Sequence, residues 1–116
     1  MTKILVVDDN RIFHRILGVL LEKSCNHDVF SAFDGQQGLD VLETTQGIEL
    51  IICDYEMPNM DGYEFTEAVR KNPLYSGLPI IGVGDFPEDK RAHLTEFRQK
   101  PFTYLELNEI IEKYCA

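Results

Sequence analysis

Asp8 and Asp9 stand side by side at the end of the apolar run ILVV, 4–7. A second apolar run, 48–53, ends in Asp54. Carboxylates placed together at the ends of buried segments are costly, because like charge and burial each raise a carboxyl pKa. One Asp after a strand is ordinarily a turn former or a helix cap. A pair of them, matched by a third acid after another buried run, asks for a compensating positive charge.

The elements that must position these acids can be read from periodicity. KILVVD, 3–8, is a continuous run rich in β-branched residues, the pattern of a strand buried on both faces. Residues 11–23 carry Ile12, Ile16, Val19 and Leu20 at helical spacing, which predicts a helix with that face inward. A short strand is expected at 28–32, a helix at 34–45 with Leu39 and Leu42 inward, and a strand at 48–54. The helix at 61–71 has Asp61 as N-cap with Glu64 three residues on. A third apolar run covers 78–84, a short helix 87–94 and an edge strand 96–99. The last helix, 103–115, opens on Thr103-x-x-Glu106 and carries the stripe Leu107, Ile110, Ile111 and Tyr114.

Strands alternating with helices imply an α/β fold, a doubly wound parallel sheet with right-handed crossovers. Such sheets bind ligands beyond the carboxyl ends of their strands, where the strand order reverses. If the first and third strands are neighbours, Asp8, Asp9 and Asp54 converge there. Three anions in one place call for a hard cation, and Mg²⁺ suits an all-oxygen site that also admits water or phosphate oxygens.

After Asp54 comes DYEMPNMDG, 54–62, where Pro58 fixes φ and Gly62 permits a crowded backbone. With these residues the sequence resembles the receiver domain of two-component response regulators. The resemblance rests on Asp8-Asp9, Asp54 followed by Met57-Pro58 and Asp61-Gly62, and Lys100-Pro101, and it covers the chain as one domain, 1–116. It implies a (βα)5 flavodoxin-like sheet of strand order 2-1-3-4-5. Asp54 is then the phosphoacceptor, a carboxylate nucleophile that forms an acyl phosphate. Mg²⁺ is bound directly by Asp9, Asp54 and the backbone carbonyl of Glu56, and through water by Asp8. Lys100 pairs with a phosphoryl oxygen, as a compact point charge can; without the acids it would read as a solvated surface lysine. The implied partners are a histidine kinase or a histidine phosphotransfer protein, and possible downstream effectors. The resemblance makes the chain a phosphoacceptor rather than a turnover enzyme.

Two departures concern the signalling half. The fourth strand of the family usually ends in Thr or Ser followed by a small residue; here Gly84 and Asp85 take those places. Gly84 and Lys100 are also closer in sequence than is usual, so the fourth helix should be short or replaced by a loop around Pro87. Phe97 stands where the family often has a switching aromatic, and reads equally as a buried edge-strand residue. A lost hydroxyl weakens the bias toward an active state, so non-standard output is expected.

Composition narrows the rest. The chain has 116 residues, with 44% hydrophobic and 27% charged residues, enough for one soluble core. A net charge of -9 opposes nucleic acid and anionic membranes as partners. The same charge also suits a merely well-solvated surface. Cys25, Cys53 and Cys115 lack metal-ligand spacing and read as reduced thiols, which points to the cytoplasm. No segment has the length and apolarity of a membrane span, and a monomer or weak dimer is expected. No effector region is expected after the last helix, so a nucleic-acid output is expected to need another chain. Two other functions fit parts of the pattern. One is a pseudo-receiver that docks partners without phosphorylation, favoured by Gly84 and Asp85. The other is an Mg²⁺ phosphatase or phosphotransferase, favoured only by Glu56 two residues after Asp54.

Overall fold

The computed structural model describes residues 2–23, 27–100 and 103–115. Cys25 and Pro101 lie outside them. Five parallel strands, β1 (Thr2–Val7), β2 (His27–Ala32), β3 (Ile48–Asp54), β4 (Ile80–Val83) and β5 (Glu96–Arg98), form one sheet in the order β2-β1-β3-β4-β5. The helices are α1 (Arg11–Lys23), α2 (Gly35–Thr44), α3 (Gly62–Lys71) and α4 (Tyr104–Tyr114). The strand order is the expected one.

Alternate strand residues feed two cores. Ile4, Val6, Leu50, Ile52, Ile81 and Val83 meet Leu17, Leu21, Leu107, Ile110 and Ile111 on the α1/α4 side. Leu5, Val7, Ala32, Ile51, Cys53 and Ile80 meet Leu42, Phe65 and Val69 on the α2/α3 side. Both faces of the sheet are covered, which is why its central strands read as unbroken apolar runs.

The expected inward face of α1 is corrected by the structure. Ile12, Ile16 and Val19 are exposed, Leu20 alone of the expected stripe packs against the core, and Leu17 and Leu21 are buried. The helix is apolar around most of its girth, so its periodicity fits two stripes. His14, on the same face as Leu17 and Leu21, bonds the Asp8 carbonyl at 2.6 Å and Ser31 Oγ at 3.0 Å, and so seats that face on the sheet.

Between β4 and β5 the chain makes only a 3-10 turn, Glu88–Lys90, so of the two expectations for this stretch, a short helix across 87–94 or a loop around Pro87, the structure has the loop. Side chains do the covering there. Leu94 lies over Gly82 so closely that a Cβ at 82 would sit 2.3 Å from Leu94 Cδ1. The Arg70 guanidinium of α3 donates to the carbonyls of Leu78 at 2.6 Å and His93 at 3.1 Å, tying both loops to the helix. Arg91 donates to the Phe86 carbonyl at 2.9 Å, and its guanidinium lies 4.0 Å from the centre of the Phe97 ring.

Candidate metal and phosphoryl site

Register brings the acids together. Val7 of β1 pairs with Cys53 of β3, so Asp8 and Asp54 leave adjacent strands at the same level. This is where the strand order reverses. One carboxylate oxygen from each of Asp8, Asp9 and Asp54 lies within 4.8 Å of the others. Asp8 is fully buried, Asp54 half-buried and Asp9 exposed.

Asp8 is held from every side. Its N–H donates to the Ala32 carbonyl at 3.0 Å. Its Oδ1 accepts the Asn10 N–H at 2.8 Å, and its Oδ2 accepts Lys100 Nζ at 2.5 Å. With both oxygens engaged, Asp8 suits an indirect, water-mediated part in cation binding. Asn10 Oδ1 in turn accepts the N–H groups of Ile12 and Phe13, which starts α1. Asn10 and His14 were not singled out from sequence. An Asn just before a helical run was a readable capping signal, whereas nothing local marks the contacts of His14.

Lys100 sits between the acids, 3.8 Å from Asp54 Oδ1, with its ammonium 4.3 Å from the centre of the Phe13 ring. Burial, and next the charge of Asp8, push the Asp54 carboxyl up to about 6, against the opposing pull of Lys100. A carboxyl so raised gains from any added cation. Cys53, fully buried beside it, has its thiol pushed well up, first by burial and then by Asp54, so it is no nucleophile.

The donor set fits Mg²⁺: oxygens only, more negative charge than Lys100 balances, and an open mouth. That mouth is a cavity of about 250 Å³ lined by Asp54, Glu56, Gly84, Asp85, Gln99 and Lys100. The expected residues Asp8, Asp9, Asp54 and Lys100 meet, Glu56 is on the rim, and Gly84 and Asp85 form the opposite wall. Phe97 is turned into the α2/α3-side core beside Phe86.

Gly84 is more than a missing hydroxyl. Its φ is +87°, and a Cβ there would lie 2.7 Å from Asp54 Oδ1. The Asp54 carboxylate leans against the backbone where a side chain would otherwise stand. At the exit of the loop, a Cβ on Gly62 would lie 2.2 Å from the Asp54 carbonyl oxygen, so only glycine fits. Asp61 then caps α3 by accepting the Glu64 N–H at 2.8 Å, while the Glu64 side chain accepts the Asp61 N–H.

Comparison with known proteins agrees with this geometry. Residues 4–112 match the response regulator receiver domain family. The chain is 32% identical over 116 residues to a chemotaxis protein CheY homolog of Campylobacter jejuni, covering 95% of this chain and 89% of that one. It is 41% identical over 81 residues, 69% of its length, to the CAI-1 autoinducer sensor kinase/phosphatase CqsS of Vibrio cholerae, of which it spans 12%. The fold superposes on Vibrio cholerae chemotaxis protein CheY4 with a TM-score of 0.87 and 28% identity, covering 98% of both chains. The receiver domain of sensor histidine kinase PA1611 from Pseudomonas aeruginosa, solved with a magnesium ion in its active site cleft, gives 0.86 and 26%, covering 97% of this chain and 96% of that one. From its strand order, its acid cluster and these matches, the chain belongs to the response regulator receiver domain family, as a CheY-like receiver of two-component signalling.

Proposed function

We propose that Asp54 accepts a phosphoryl group from a histidine kinase or histidine phosphotransfer protein, with Mg²⁺ held by Asp9, Asp54 and the Glu56 carbonyl, and by Asp8 through water. The observation that carries this reading is the convergence of Asp8, Asp9, Asp54 and Lys100, of which Asp54 and Lys100 also line one cavity. A carboxylate oxygen of Asp54 attacks phosphorus, and the phosphorus–nitrogen bond to the donor imidazole breaks. The ring nitrogen keeps the electron pair and takes a proton, leaving an acyl phosphate on Asp54. Bound Mg²⁺ supplies positive charge to the phosphoryl oxygens. Lys100, on its flexible stem, exchanges its Asp8 and Asp54 contacts for a phosphoryl oxygen. The exposed Ile12, Ile16 and Val19, on the helix that starts beside these acids, give a donor protein an apolar surface to dock on.

The output is proposed to be atypical. Gly84 brings no hydroxyl to the phosphoryl group, and Phe97 is pinned between Phe86 and Arg91. With a 3-10 turn where a helix would respond, little differential contact exists to move this wall. The test is intact mass after incubation with Mg²⁺ and a small phosphodonor. Wild type should gain one phosphoryl group and Asp54→Asn none. Equal labelling of both would remove Asp54 from its role, and Mg²⁺ binding without labelling would turn the reading to a docking module.

A further inference from the structure

Asn59 is the one described non-glycine residue with a positive φ, +69°. Left-handed backbone at such a residue persists only where its surroundings hold it. Here its side chain is what is held: Asn59 Nδ2 donates to Asp34 Oδ2 at 3.1 Å. Asp34 is buried, and its other oxygen accepts the Gln37 N–H at 2.8 Å as the N-cap of α2. The next residue on each side repeats the contact, since a Cβ on Gly35 would lie 2.7 Å from Met60 Cγ.

The loop leaving Asp54 is thus fixed in three places. β3 fixes its start. The Gly62 N–H, donating to the Tyr55 carbonyl at 2.7 Å, closes its exit. The Asn59–Asp34 hydrogen bond pins its crest to α2. Glu56 lies between these anchors with its side chain in solvent, so its own side chain does not set where its carbonyl points. Mg²⁺ demands near-octahedral placement of its oxygens, which a free loop carbonyl does not give. Groups that orient ligands without touching the metal are a general part of such sites.

We propose that Asn59 and Asp34 are positioning residues for the cation: their hydrogen bond holds the loop so that the Glu56 carbonyl is set for the ion Asp9 and Asp54 share. This rests on the Mg²⁺ reading above. The test is calorimetric Mg²⁺ titration of wild type, Asn59→Gly, Asp34→Ser and the double variant, with thermal melts in chelator. Glycine keeps the left-handed backbone and drops the amide; serine keeps a helix cap and drops the second oxygen. Each single variant should weaken Mg²⁺ binding about tenfold, with the double no weaker than either single, because both act through one bond. Lower melting temperatures with Mg²⁺ affinity within about twofold of wild type would reduce the bond to fold stability and overturn the proposal. Losses that add in the double variant would overturn it as well. A wild type that fails to bind Mg²⁺ would instead overturn the metal reading, and this proposal with it.

Discussion

Asp54→Asn should make the metal-free protein more stable at neutral pH, by an amount that the site itself sets. The Asp54 carboxyl is pushed from 3.8 up to about 6, chiefly by burial and then by Asp8. A raised folded-state value means that ionisation is costlier in the fold than in the unfolded chain. The stability tied to the neutral form is complete below the unfolded value and is lost as pH rises through the folded one. Above pH 7 the wild type therefore carries at most about 3 kcal/mol of destabilisation, and roughly half of that at pH 5, from 1.36 kcal/mol per pKa unit before solvent screening at this half-buried group. Asparagine has nearly the shape of aspartate and cannot ionise, so it removes this cost. The 3.8 Å attraction to Lys100, whose closer partner is Asp8 at 2.5 Å, is already contained in that shift, and solvent at the half-buried carboxyl screens part of the cost. A net gain of about 2 kcal/mol at pH 7.5 follows, or roughly 5–10 °C in melting temperature for a chain of this size. Thermal melts of both proteins in chelator, at pH 5 and at pH 7.5, provide the check. Mg²⁺ should narrow the gap by stabilising the wild type through mass action. A gap that does not grow between pH 5 and pH 7.5, or a variant less stable at pH 7.5, would refute the reasoning.

Two further outcomes follow from the same contacts. Lys100→Met should cost about 3 kcal/mol in urea denaturation, because it leaves the fully buried Asp8 without its ion-pair partner. Adding Asp8→Asn should return most of that loss, and a double variant as unstable as the single would contradict the pairing. Gly84→Ala should lose about 2 kcal/mol or more and label more slowly, since it meets both the left-handed backbone penalty and a contact with Asp54 Oδ1. A Thr placed at 84 meets the same two obstacles and would not recreate a working hydroxyl. Full stability and full labelling in Gly84→Ala would show that this backbone relaxes freely.

The acids and their place at strand ends were legible in the chain, because they depend on local pattern, and the sheet order followed from the family resemblance that those motifs carry. Apolar runs fix β1 and β3, and capping boxes fix the starts of α3 and α4. What the tertiary structure alone decided concerns choices between locally equivalent options. Helix α1 has two apolar stripes, and in the packed structure His14 bonds Asp8 and Ser31 on the face that buries Leu17 and Leu21 while Ile12, Ile16 and Val19 stay outside. The glycine at 84 reads as a missing side chain, yet its +87° φ and the Asp54 oxygen against it arise from where β3 and β4 end relative to one another. The Asn59–Asp34 bond joins residues 25 apart in sequence. Neither residue signals the other, because a hydrogen bond across that distance exists only once α2 and the loop after β3 are packed side by side.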